Sequence, residues 1–117
     1  MNEAEARARL ERMVAAAEDP VLSLEEIADL VALSRVADTA GLAPSDANWT
    51  PTFDLNRGAA EGWRWKAGKA APRFQFTADG ATFQRQQVLA HCERMAAQYR
   101  RKIVSNVSLP GSLATEA

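Results

Sequence analysis

Apolar positions recur along this chain at three- and four-residue spacing, the period of amphipathic helices. Over residues 3–18, Leu10, Met13, Val14 and Ala17 fall on one side, while Glu3, Glu5, Arg7, Arg9, Glu11 and Arg12 cover the others. A first helix is predicted there. Asp19-Pro20 ends it, because the residue before a proline is pushed out of the helical region. Ser23-Leu24-Glu25-Glu26 reads as a capping box that opens a second helix over 24–39, with Gly41 near its stop. Leu24, Ile27, Leu30, Val31, Leu33 and Val36 make that helix apolar over so much of its circumference that it calls for partners on two sides.

Residues 42–52 have loop composition, with Trp49 expected to fold back on the core. A third helix is predicted over 53–71, capped by Thr52 or Asp54 and stopped by Pro72. Leu55, Ala59, Trp63, Ala67 and Ala70 share one face, and Trp65 lies about 200° round from Trp63. Gly58, Gly62 and Gly68 stand beside Trp65, each costing about 0.8–1.0 kcal/mol relative to alanine in a helix. Such a smooth strip suits close approach by another backbone. A contact between subunits through Gly58, Gly62, Trp65, Leu30 and Leu33 is therefore expected, with an internal packing groove as the alternative.

Asp79-Gly80 is a two-residue hairpin signal that would pair Phe76 with Phe83 across a short ribbon. A fourth helix is predicted over 84–102, where Val88, Cys92, Met95, Tyr99 and Ile103 repeat at helical spacing. Arg100, Arg101 and Lys102 complement the negative end of its dipole. Residues 104–117 have no helical period. Val104, Val107, Leu109 and Leu113 suit an extended strand added to a partner. The expected fold is mostly α: a small bundle of about four helices over 1–103, with a short β-hairpin or extended segment, and an extended C-terminal tail over 104–117.

With 117 residues, the chain has room for one modest core, exposing about 6,200 Å² when folded against about 18,000 Å² unfolded. One cysteine and one histidine leave no internal disulfide and no Cys- or multi-His metal site, so no cofactor is expected. No apolar run is long enough for a bilayer, and the first residues do not read as a signal peptide, so a cytosolic setting without membrane contact is expected. The net charge of −1 conceals a division. Residues 1–52 hold four Arg against ten Asp or Glu, whereas residues 53–103 hold ten Lys or Arg against four Asp or Glu. That polarity suits head-to-tail contact between copies, or a basic face near nucleic acid, unless the halves intermix and cancel.

Catalytic chemistry is sparse. His91 and Cys92 are sequence neighbours about 100° apart on a helix, so they form no dyad, and a buried structural thiol is expected. Residues 23–40 resemble the start of a helix-turn-helix, though without a turn glycine and with few base-reading side chains. A basic set that includes Arg64, Lys66, Lys69, Arg100, Arg101 and Lys102 can approach phosphates without reading sequence, lining a channel or a contact between subunits.

From Phe53 onward, DLNRGAAEGWRWKAGKAA followed by FQFTADGATFQRQQVLAHCERMAAQYRRK resembles the small head–tail connector (adaptor) proteins of long-tailed bacteriophages. The likeness spans about residues 21–103. It rests on E-G-W-R-W-K-A, on A-D-G and on a final M-A-x-x-Y-R-R-K. The resemblance implies a non-enzymatic virion protein of the neck, assembled in the host cytoplasm. Copies would form a ring, typically twelvefold, below the portal. That ring would continue the channel for double-stranded DNA without reading its sequence, receive a stopper or tail-completion protein, and send its C-terminal segment into the portal. A DNA-binding packaging or regulatory protein using residues 23–40 is the alternative, and a helical interaction module of host origin is a further one.

Overall fold

A computed structural model describes the backbone of residues 1–74 and 79–103 and the side chains of residues 1–71 and 86–103. Four helices follow in order: α1 (Glu3–Met13), α2 (Leu24–Leu33), α3 (Leu55–Phe74) and α4 (Asp79–Arg101). Among the described residues no strand forms, and Arg35 and Phe53 make a single antiparallel bridge. The expected mostly α, four-helix architecture is what the chain adopts.

Capping boxes start the first two helices. Asn2 Oδ1 accepts from the Glu5 N–H at 2.8 Å while Glu5 Oε1 accepts from the Asn2 N–H at 3.0 Å. Ser23 and Glu26 make the same reciprocal pair at 3.1 and 2.8 Å, as their spacing predicts.

The helix ends differ from expectation. α1 stops at Met13, five residues early, since Ala15 takes a positive φ of 49° and the chain turns there. α2 stops at Leu33 rather than near Thr39. The Ser34 hydroxyl donates back to the Leu30 carbonyl at 2.8 Å, the local bond by which serine competes with helix propagation.

Residues 35–54 then form a loop whose ends meet, the Asp54 N–H donating to the Ser34 carbonyl at 2.8 Å. Asp38 organises it. Its carboxylate accepts from the N–H groups of Ala40, Leu42 and Thr50 at 2.9–3.0 Å, and these bonds, that from Thr50 foremost, hold its pKa below the usual carboxylate value. Gly41, at φ 84°, supplies the left-handed step that this turn requires. Trp49 folds back across its own loop rather than into the core, donating from Nε1 to the Val36 carbonyl at 2.9 Å and meeting edge-on Phe53, which itself packs on the core.

α3 continues through Pro72 to Phe74. The carbonyl that Pro72 cannot bond belongs to exposed Gly68, where water can replace the missing donor. The Asp79-Gly80 hairpin is not formed. Residues 79–83 are helical, the start of α4, while Phe76 lies outside the described residues. An acidic residue favours a helix N-terminus, and an isolated two-stranded ribbon is only marginally stable.

α3 is the central helix. α1 and α2 pack on it and on each other, and α4 pairs with α3 alone. The core gathers Ala6, Leu10 and Val14 of the first segment, Ile27, Leu30 and Val31 of α2, Leu55, Ala59, Trp63 and Ala67 of α3, and Cys92 and Ala96 of α4. Because neighbours crowd α3 on several sides, small residues dominate it.

Candidate functional site

Those small residues explain the glycine strip. A Cβ on Gly58 would strike the Ser34 hydroxyl and stand 2.8 Å from the Leu30 carbonyl oxygen. One on Gly62 would stand 2.8 Å from Val14 Cγ1 and 3.0 Å from Leu30 Cδ1. Gly58, Gly62 and Leu30 are thus consumed by packing within the chain, correcting their expected place in a contact between subunits. The internal groove is the reading that holds. Trp65 is half-buried against the core, whereas Leu33 remains 49 % exposed. Gly68 has open space around it.

Lys66 is also corrected. Only 1 % exposed, it cannot line a channel or meet another subunit. Its Nζ donates to the carbonyls of Val14 and Ala15 at 2.8 and 2.7 Å, and sits 4.5 Å from the Trp63 ring centroid. Trp63 Nε1 donates to the neighbouring Met13 carbonyl at 3.1 Å. Two α3 side chains one turn apart therefore cap the Met13 and Val14 carbonyls at the C-terminus of α1, and Lys66 shares the Ala15 carbonyl with the Glu18 N–H.

A cleft of about 340 Å³ adjoins this cap, lined by Glu18, Asp19, Trp63, Lys66, His91 and Cys92 among others. Burial lowers the Lys66 pKa, against the opposing pull of Cys92, Glu18 and Asp19. Burial likewise pushes the Cys92 thiol up, away from the reactive thiolate, with Lys66 opposing. His91 lies on the exposed side of α4 and meets Trp63 edge-on at 5.3 Å between centroids. The lysine is engaged with backbone carbonyls and the thiol is held protonated, so the cleft presents a helix cap rather than an activated nucleophile. No cluster of three or more metal-ligating side chains occurs among the described residues.

The remaining predicted cations divide. Lys69 donates to Glu26 at 2.7 Å and to the Val21 carbonyl at 2.9 Å, tying α3 to α2 and holding the Glu26 pKa below its ordinary value. Arg64 pairs with Glu61 at 2.8 Å on an exposed face. Arg57, Arg100, Arg101 and Lys102 are exposed. Asn56 Nδ2 donates to the Lys102 carbonyl at 3.3 Å, which brings the basic end of α4 beside Arg57 at the start of α3. Val104, Val107, Leu109 and Leu113 lie outside the described residues.

Two exposed apolar residues, Val21 at 52 % and Leu24 at 78 %, were not predicted as surface features. In helical projection Leu33 falls off the Ile27, Leu30 and Val31 stripe, which was visible in the sequence. The exposure of Leu24 depends on where α1 ends. The helix-turn-helix reading loses its second helix, since nothing between Arg35 and Asp54 is helical. No helix among the described residues is long and apolar enough to cross a membrane. The described residues form a mostly helical, four-helix fold, and no family model, curated protein or solved structure matches the chain.

Proposed function

We propose that this chain is a non-catalytic assembly protein, the head–tail connector of a long-tailed bacteriophage. Copies form a homo-oligomeric ring, of twelvefold symmetry in the family it resembles, between the portal above and a stopper or tail-completion protein below. Double-stranded DNA passes through without sequence recognition. The protein resides in the virion neck after assembly in the host cytoplasm.

The observation that carries the reading is a surface with needs left over after folding. The α3–α4 pair exposes Arg57, Arg100, Arg101 and Lys102, α2 exposes Glu25, Asp29, Leu24 and Leu33, and α1 exposes both signs, Glu3 and Glu5 beside Arg7, Arg9 and Arg12. Opposite charges on α2 and on the α3–α4 pair suit heterologous contacts, which close into rings when the rotation permits. Capping and core packing account for Gly58, Gly62 and Lys66, so the contact between copies falls to Leu33 and the exposed charges.

The test is electron microscopy of the chain mixed with its cognate portal. An added ring of density beneath the portal is expected. A chain that stays monomeric and never joins particles overturns the proposal.

A further inference from the structure

Where the turn after α1 meets the start of α2, the surface holds a groove of about 430 Å³ lined by Arg12, Ala16, Ala17, Val21, Leu22 and Leu24 among others. Its lining is mainly apolar, and the exposed side chains of Val21 and Leu24 stand at it. We infer that the chain's own C-terminal segment fills this groove, with Leu113 as the anchor.

Reach and chemistry both favour that occupant. The described chain ends at Ile103, beside Asn56 at the start of α3, through the bond to the Lys102 carbonyl. The groove lies beside Lys69, whose ammonium donates to the Val21 carbonyl. From Asn56 to Lys69 the rise of α3 is about 20 Å. At about 3.3 Å per extended residue, Leu109 reaches roughly 20 Å from Ile103 and Leu113 roughly 33 Å. Leu113 thus comes within range with slack for the path around α3, whereas Leu109 at full extension spans only the rise of that helix, and Pro110-Gly111 between them supplies a bend.

Within 104–117, Glu116 is the only charged side chain, so the segment brings mainly apolar surface to a groove whose charged lining residues, Glu11 and Arg12, offset each other. The inference stands apart from the connector reading. If that reading also holds, Leu113 reaches a portal only after leaving the groove.

Hydrogen exchange on the full-length chain tests it, with Leu24→Asp altering the groove and a Leu109→Asp/Leu113→Asp double variant altering the segment. Asp is favourable in the first turn of α2, so Leu24→Asp keeps the fold, and unchanged melting temperatures verify this. Amides of residues 109–113 are expected to be protected in the wild type and to lose roughly ten-fold in either variant, as the loss of a buried leucine contact implies. Amide shifts at Ala17 and Val21 in the double variant add support. Wild-type amides of 109–113 exchanging as fast as those of the double variant overturn the inference. Protection that grows with protein concentration also overturns it, by assigning the groove to a second copy. Failure to bind a portal bears on the connector reading alone.

Discussion

A lysine withdrawn from water is costly unless its nitrogen finds acceptors, and Lys66 finds the two carbonyls that close α1. Lys66→Met keeps most of the apolar stem but removes the donor from the Val14 carbonyl, while the Ala15 carbonyl keeps the Glu18 N–H. A loss of about 1–3 kcal/mol in urea unfolding at neutral pH is expected. Burial sets the lysine's folded pKa below its ordinary value of 10.5, so the unfolded chain binds that proton more tightly. Between the two values the Lys66 contribution to stability therefore rises with pH. The gap between wild type and Lys66→Met should widen as pH climbs through that window. A variant as stable as wild type throughout would show that the cap contributes nothing. The sequence displayed Lys66 as one more cation in a basic run. Its burial follows from Ala15 turning the chain back over α3, which no helical period records.

At the scale of elements, α3 shows how one residue type serves two purposes. Gly58 faces the Leu30 carbonyl, which is backbone and cannot step aside, whereas Gly68 faces open space. Gly58→Ala is expected to destabilise by about 1–3 kcal/mol through forced separation of α2 from α3. Gly68→Ala is expected to stabilise by up to about 1 kcal/mol, because alanine is the better helix former and meets nothing. Thermal melts of the two variants moving in the same direction would refute this assignment. The capping box at Ser23 was legible because its partners are three residues apart. The end of α1 was not, since Trp63 and Lys66 hold it from some fifty residues away, and the end of α2 joins the local Ser34 bond to one from distant Asp54. Asp79-Gly80 illustrates the limit of local signals: the pair suits a turn and a helix start alike, and the length of α4 tells which one prevailed.

For the whole molecule, the charge division of the sequence reaches the surface. Lys69 and Glu26 neutralise each other across it, but Arg57 and Arg101 remain exposed. Surface substitutions away from caps and core change stability by roughly 0.5 kcal/mol or less. Arg57→Glu/Arg101→Glu should therefore melt like the wild type while failing to assemble, as sedimentation velocity in the presence of portal would report. Assembly equal to wild type would remove charge polarity as the organising force. Reversal at Lys66 is no test of assembly, because a buried glutamate facing carbonyl oxygens would unfold the chain first.

What the sequence determined by itself was everything set by near neighbours along the chain: four helical periods, the Ser23 cap, the buried stripe through Cys92 and Ala96, and the division of charge. Only the tertiary structure decided which small residues of α3 were already covered, which lysine was buried and that Leu24 stayed in water. Periodicity assigns a residue to a face of its own helix. What lies opposite that face depends on where other helices end and turn, and those ends are fixed by contacts between residues some fifty positions apart, such as Lys66 with Val14.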